Sequence, residues 1–544
     1  MTASPLVSVL GPMPVLLPLL AAGLALLFTR SHTAQRLISL IVLTTMLAIA
    51  VTLLVVADQQ GAQAVALGGW EPPLGVVLVV DRLSALMLVV SSTVMLGVLA
   101  YAVGQGTRDD DDETPVSIYH PTYLVLAAGV SNAFLAGDLF NLYVGFEMLL
   151  TASYVLLTLG GTEARVRAGV TYVIMSLLSS VLFLAAIGLV YGATGTVNLA
   201  HLAEVLPTLP DGTRLLLHVG LLLAFGIKAA VFPLAFWLPD SYPTAPAPVA
   251  AVFAGLLTKV GVYAIIRTET LLFPGGELRP VLMVVALLTL LVGILGAVAQ
   301  SDLKRLLSFT LVSHIGYMVF GVALGSAAGV GGAVFYVVHH ITIQTALFLA
   351  CGLVDRRGGT TALRRLGGLA QLSPVLGVLF FVPAMNLAGV PPFSGFVGKL
   401  GLFRAGAEDG GVLAYALLGA GALTSLLTLY AVARVWNLAF WRSAEEAQDP
   451  EPELLLVRTR PGVDDPHRQP EPTPSRTLMP PVMVGATTAM VAVGVALAVL
   501  AGPLWALTTR AAEDLRDRTP YITAVLPDGV PAPLLPKAVG EASR

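Results

Sequence analysis

The residues best suited to chemistry in this chain are ionisable groups placed inside apolar runs. Lys228 sits in "LLAFGIKAAVFPLAFWLPD", Lys259 in "VFAGLLTKVGVYAII" and Lys399 in "AMNLAGVPPFSGFVGKLGLF". Glu147 lies in "NLYVGFEMLLTASYVLL", His314 in "LVSHIGYM", and His339 and His340 are adjacent in "FYVVHHITIQT". Of 30 Lys and Arg residues only five are lysines, namely Lys228, Lys259, Lys304, Lys399 and Lys537. Three of those five therefore lie in apolar runs, in a chain that otherwise writes arginine for positive charge. Arginine stays protonated in proteins, whereas a buried lysine can exchange its proton. Ionisable groups at membrane depth cost a few kcal/mol each, so they face a protein interior or a wet cavity. A carboxylate, lysines and histidines in successive apolar runs therefore read as a path for protons or ions.

Plainer readings compete at each position. Glu147 and Lys228 together could be a structural ion pair. Lys259 and Lys399 have no acidic partner in their own runs, which weakens that reading for them. His314 precedes Gly-Tyr in a closely packed segment, where a packing role is equally natural. Neighbouring helical residues point about 100° apart, so one of His339 and His340 faces the path, and the sequence leaves open which. Asp138 falls nearer an interface than the others.

Prolines interrupt two of the same runs. Pro233 follows Lys228 by five residues, and Pro391 and Pro392, flanked by Gly389 and Gly395, precede Lys399. Proline inside a helix removes a backbone hydrogen bond. Lipid cannot satisfy the groups so freed, so each break must line a cavity or pack within protein.

The elements that position these residues are membrane helices. The chain of 544 residues is 56% apolar and 12% charged, about half the charge of a soluble domain. Windows of about 20 apolar residues predict an all-α polytopic membrane protein with about fourteen spans. These are 8–28, 37–57, 83–103, 119–136, 139–159, 168–191, 214–237, 247–266, 280–299, 305–323, 328–354, 373–404, 411–436 and 481–508. The first has no basic residue ahead of it, unlike a signal peptide. Positive charge gathers in alternate loops, at Arg30, Arg36, Arg165, Arg167, Lys304, Arg305, Arg356, Arg357, Arg364 and Arg365 among others, which places both termini outside. The interrupted spans are the seventh and the twelfth, five apart. That spacing suggests two inverted five-helix repeats, helices 4–8 and 9–13, although the two units share no evident sequence identity.

The organisation that follows is 1–118 (helices 1–3 with an external hairpin in "AVALGGWEPPLGVVLVVD"), 119–267 and 268–436 (the two repeats), 437–480 (a cytoplasmic loop), 481–508 (helix 14) and 509–544 (a tail). "DDDDE" at 109–113 reads as a solvated loop. The net charge of −3 offers no basic surface for nucleic acid. Cys351 is the single cysteine, which rules out intrachain disulfides and cysteine-based metal clusters. No phosphate loop or nucleophile–base set argues for an enzyme, and no cofactor or metal is called for.

Five ordered tracts carry a resemblance: "NLYVGFEMLLTASYVLL", "GIKAAVFPLAFWLPDSYPTAPAPVAAVFAGLLTKVGVY", "SDLKRLLSFTLVSHIGYM", "FYVVHHITIQTALFLACGL" and "NLAGVPPFSGFVGKL". Over roughly residues 70–440 the chain resembles the antiporter-like subunits shared by respiratory complex I and the Mrp-type multisubunit sodium/proton antiporters. Within them, "PDSYPTAP" is most similar to the D-type Mrp subunits. The resemblance implies fourteen helices, broken helices 7 and 12, and a hydrated polar axis at the membrane mid-plane. It implies that Glu147 is the acidic partner of Lys228, Lys259 the connecting lysine, His339 or His340 the link to the second half, and Lys399 the terminal lysine. It further implies a bacterial plasma-membrane complex with other Mrp subunits, exchanging H⁺ for Na⁺. Gln344 departs from the family, where many members have lysine. Rival expectations are a proton-pumping subunit of a complex I or hydrogenase type, a non-conducting scaffold, and a stand-alone transporter of another solute.

Overall fold

The computed structural model describes residues 4–106, 116–447 and 479–529. Helix prevails because a segment away from water must satisfy its backbone internally. Twelve helices among the described residues are long and apolar enough to cross a membrane. In chain order the elements are α1 (Pro5–Leu10), α2 (Met13–Leu27), α3 (His32–Gln60), β1 (Gln63–Ala66), β2 (Val77–Val80), α4 (Arg82–Gly106), α5 (Val116–Leu135), α6 (Leu139–Thr158), α7 (Glu163–Thr194), α8 (Leu199–Val205), α9 (Asp211–Ala229), α10 (Trp237–Ser241), α11 (Ala247–Val252) and α12 (Thr258–Arg267). They continue as α13 (Arg279–Val298), α14 (Leu303–Leu324), α15 (Ala327–Gly358), α16 (Leu369–Leu372), α17 (Pro374–Ala388), α18 (Ser394–Asp409), α19 (Val412–Val435), α20 (Pro481–Val499), α21 (Ala501–Arg516) and α22 (Thr519–Val525).

These helices form an inner and an outer set. The apolar windows of α15 and of the run Ala247–Leu272 are 100% buried, whereas those of α3 and α7 are 39% buried and that of α20 is 33% buried. The outer helices present leucine and valine to the surroundings, as lipid-facing helices do. At the centre α15 packs against α4, α11, α14, α17, α18, α20 and α21.

The two proline breaks are built alike. α9 ends at Ala230, the one non-glycine residue among the described residues with positive φ, at 57°. There Val231 N–H donates to Gly226 O and Ala230 N–H to Ile227 O, both at 3.1 Å. α17 ends at Gly389 with φ 88°. Val390 N–H donates to Met385 O and Gly389 N–H to Asn386 O, again at 3.1 Å. This pairing is the Schellman termination, and the prolines that follow cannot resume the ladder. Groups left over find partners nearby. Phe232 N–H donates to Thr289 Oγ1 of α13 at 3.0 Å, and the Trp237 indole adds a second bond to Ile227 O at 3.2 Å. In the second break Asn386 Oδ1 accepts from Gly395 N–H at 2.9 Å and from Ser394 Oγ at 3.2 Å. It caps the resumed helix α18 from across the gap.

A second local pattern occurs twice. Asp138 caps α6 through Asn141 N–H, and Asp302 caps α14 through Arg305 N–H. Leu139 N–H and Leu199 N–H pair with Val197 O and Gly137 O; Leu303 N–H and Leu363 N–H pair with Thr361 O and Ser301 O. The participating tracts are "GTVNL" and "GTTAL", a match between the halves too short to stand out without the shared geometry.

Several expectations need adjustment. The first expected span, 8–28, is two pieces, because Pro12 and Gly11 part α1 from α2. The last, 481–508, ends at Val499, and α21 runs on separately to Arg516. Arg267, just past the end of the expected span 247–266, is only 3% exposed and pairs with Asp81 at 2.6 Å. Arg434 lies inside α19 and donates to Val298 O at 2.8 Å. The hairpin is present, with Gln63 opposite Val80 in an antiparallel register. "DDDDE" and most of the 437–480 loop lie outside the described residues.

Two substitutions test the breaks. A Cβ at Gly389 would stand 3.0 Å from Lys399 Cδ, on top of the left-handed cost of about 1–2 kcal/mol. Gly389→Ala should therefore lower the Tm of the purified protein, whereas Ala230→Gly, which relaxes the corresponding strain, should not. Asn386→Leu keeps the volume but strips the cap of α18, which costs about 1–2 kcal/mol. An Asn386→Leu protein with wild-type Tm would show that the cap contributes nothing.

Candidate functional site

The last turn of α9 carries Lys228, 7% exposed, its Nζ 4.8 Å from the centroid of the Phe146 ring. The expected partner, Glu147 of α6, does not touch it. Ser180 of α7 stands between them: its Oγ donates to Glu147 Oε1 and accepts from Lys228 Nζ at 3.3 Å. Beside Lys228 lies a cavity of about 20 Å³, room for a single water. It is lined by Tyr172, Ser176, Ser179 and Trp237 among others. Tyr172, Ser176 and Ser180 follow one another at i, i+4 spacing, on one face of α7. Beyond Tyr172 the same helix borders an open cleft of about 690 Å³ with Glu163, Arg167, Thr171 and Asp240 in its walls.

Lys259 is fully buried in the first turn of α12. Residues Phe253–Leu257 form a π-turn ahead of it. Lys259 Nζ folds back to donate to Ala254 O in that turn. Gly261 allows the approach to the first break, because a Cβ there would meet Ala229 N at 2.6 Å. The helix that carries Lys259 is thus pressed, at Gly261, against the end of the helix that carries Lys228.

The histidines occupy the middle and divide there. His314 Nδ1 meets Tyr336 OH at 2.8 Å and its Nε2 meets Thr428 Oγ1 at 3.3 Å. The His340 ring lies 5.3 Å from that of His314, tilted by 42°, and neither of its own ring nitrogens has a protein partner. It lies in electrostatic range of both Lys259 and Lys399. His339 turns the other way, its Nδ1 2.9 Å from Ser394 Oγ at the second break. Gln344, one turn after His340, donates to Leu307 O at 2.8 Å and leaves Oε1 unpartnered. It ties α15 to α14 with a group that cannot titrate.

Lys399, 4% exposed, folds back over Gly389. Its Nζ donates to Leu387 O at 3.0 Å and Ala388 O at 2.9 Å. Those carbonyls are the negative end of α17, which favours a cation. Tyr317 faces the ammonium 5.2 Å away, and its hydroxyl lies 2.8 Å from Ser425 Oγ.

The expected residues Lys228, Lys259, His314, His339, His340 and Lys399 are thus buried along α9, α12, α14, α15 and α18, while Glu147 of α6 is half-buried. Asp138 stays apart as a helix cap. Hydroxyls and amides were missed: Ser180, Tyr336, Ser394, Asn386 and Thr428. Serines spaced as in "MSLLSS" are too common in membrane helices to single out. Also missed is His218, whose Nε2 meets Glu269 Oε1 at 2.6 Å in a buried couple stacked on Phe273. No group of three or more His, Cys, Asp or Glu able to hold a metal occurs among the described residues. Titratable nitrogens alternating with hydroxyls and carbonyls suit the movement of protons.

Comparison with known proteins agrees. Residues 136–428 match the family model for the transmembrane part of NADH:quinone oxidoreductase and Mrp antiporter proteins. The chain is 37% identical over 518 residues to the D component of the Na⁺/H⁺ antiporter of Alkalihalophilus pseudofirmus, covering 94% of this chain and 98% of that protein. It is 38% identical over 443 residues to the D component of the Na⁺/H⁺ antiporter of Bacillus subtilis, covering 81% and 88%. Among solved structures, a chain of the Mrp complex from a Dietzia species superposes with TM-score 0.84 at 33% identity, covering 95% and 99%. A chain of the archaeal membrane-bound sulfane sulfur reductase shares the fold, with TM-score 0.82 at 23% identity and coverage of 95% and 100%. The expected polytopic membrane architecture stands, and the chain belongs to the NADH:quinone oxidoreductase/Mrp antiporter transmembrane family.

Proposed function

We propose that this chain is the D-type, proton-translocating subunit of a multisubunit Na⁺/H⁺ antiporter in a bacterial plasma membrane, assembled with other Mrp subunits. The observation that carries the reading is the buried succession from Lys228 through Lys259 and His340 to Lys399 in a chain whose relatives are named antiporter subunits. Protons enter from the cleft at Asp240 and Glu163 and follow the hydroxyl face of α7 to Lys228. They pass to Lys259 and then to His340, whose two free ring nitrogens can receive a proton on one side and release it on the other. The His314–Tyr336 pair and His339–Ser394 hold the ring and the second break in register, and Lys399 completes the path. Asp138 and Asp302, the paired caps, and the two alike breaks support fourteen spans with two inverted five-helix repeats. Lipid meets the outer helices.

Exchange is read in vesicles from antiporter-deficient cells carrying the complete operon, as sodium-driven dissipation of a pH gradient. Lys228→Ala should abolish it with the complex assembled. Lys228→Arg should fail as well, since a charge that never titrates cannot hand on a proton. Full exchange in either variant would refute the reading. His340→Ala should slow exchange at least tenfold with normal assembly, while His339→Ala, which frees Ser394, should weaken assembly or thermal stability first. Equal and purely structural losses in both histidine variants would contradict the division of labour.

A further inference from the structure

We infer that Ser180 is a proton relay between Lys228 and Glu147, so that the two ends of the expected ion pair communicate through a hydroxyl rather than by contact; this rests on the proposed function above. Ser180 is 3% exposed, and its Oγ bonds both charges. A serine hydroxyl donates one hydrogen bond and accepts others, whereas ammonium only donates and ionised carboxylate only accepts. The observed polarity, Nζ–H to Oγ and Oγ–H to Oε1, is the arrangement a relay needs. Transfer breaks one Nζ–H bond and forms Oγ–H, while the original Oγ–H breaks and Oε1–H forms. Neutral lysine, protonated glutamate and an unchanged serine result, and the reverse shift restores the charges. The atoms and charges balance without another reactant.

The transfer itself needs no residue beyond these three. Phe146 covers Lys228 on one side. The other titratable groups close by are Tyr143 and Tyr154 of α6, which feel the Glu147 charge, and Tyr172 of α7. Tyr172 is already bonded to Ser153 at 2.8 Å. Ser179, the neighbour of Ser180, donates to Ala224 O at 3.2 Å and so anchors α7 to α9 independently. Removing the Ser180 hydroxyl therefore leaves the helix contact in place.

The experiment compares Ser180→Ala, Ser180→Cys and Ser180→Thr in the complete complex, with exchange rates taken from pH 7 to 9.5 and assembly followed by subunit retention. Ser180→Ala should lose about tenfold or more near neutral pH and recover only at the alkaline end, where hydroxide can take the lysine proton directly. Ser180→Thr, which keeps a hydroxyl, should stay within about twofold of wild type with an unchanged pH profile. Ser180→Cys, similar in size with a weaker donor and acceptor, should fall between them and guards against a misfolded alanine variant. A wild-type rate and profile in Ser180→Ala overturns the inference. So does a Ser180→Thr complex that assembles yet fails as badly as alanine. Lys228→Ala runs in parallel: its activity tests the proposed function itself, whereas a silent Ser180→Ala beside a dead Lys228→Ala removes the relay alone.

Discussion

Everything in this chain follows from the difficulty of leaving a backbone group unbonded where no water can reach it. Two helices stop and restart inside the bundle, at Ala230 and at Gly389, and each stop frees carbonyls and amides that lipid would leave orphaned. The protein answers with neighbours of several kinds. Thr289 and the Trp237 indole serve the first break, while Asn386 and the ammonium of Lys399 serve the second. The same unsatisfied groups that make a break costly make it a place where a charge can reside.

This explains why the two halves use their breaks differently. At the first, a tryptophan indole adds a second bond to the Ile227 carbonyl, and Lys228 turns toward Ser180. At the second, Lys399 itself lies on the helix end and needs a glycine beneath it. Between them, Lys259 rests on a carbonyl of a π-turn. None of the three lysines is neutralised by direct contact with a carboxylate, so each remains able to exchange a proton. The buried carboxylate–arginine contact, Asp81 with Arg267, lies elsewhere and involves a cation that does not titrate. A fixed pair holds elements together; a hydroxyl or carbonyl partner leaves a proton movable.

The middle of the path depends on geometry at single-residue resolution. Adjacent histidines on α15 are sent to different tasks because one position faces α14 and the other faces the second break. Gln344 sits one turn further along and bonds to the α14 backbone; under the proposed function the link across the two halves therefore rests with His340.

By itself the sequence determined the membrane class, the approximate spans, the hairpin after the second span, both proline breaks, and the three lysines and Glu147, because apolar run length, proline and rare lysine are local signals. It could not show that Glu147 and Lys228 are separated by Ser180, or that His340 turns toward His314 while His339 turns toward Ser394. Nor could it show that Asn386 caps a helix across a gap, or that Arg267 turns inward to Asp81. Each of these depends on which helix lies against which, and on the rotation of helices about their axes. Burial without lipid or water to share leaves every polar atom dependent on a neighbour distant in sequence. Tertiary packing alone chose those neighbours.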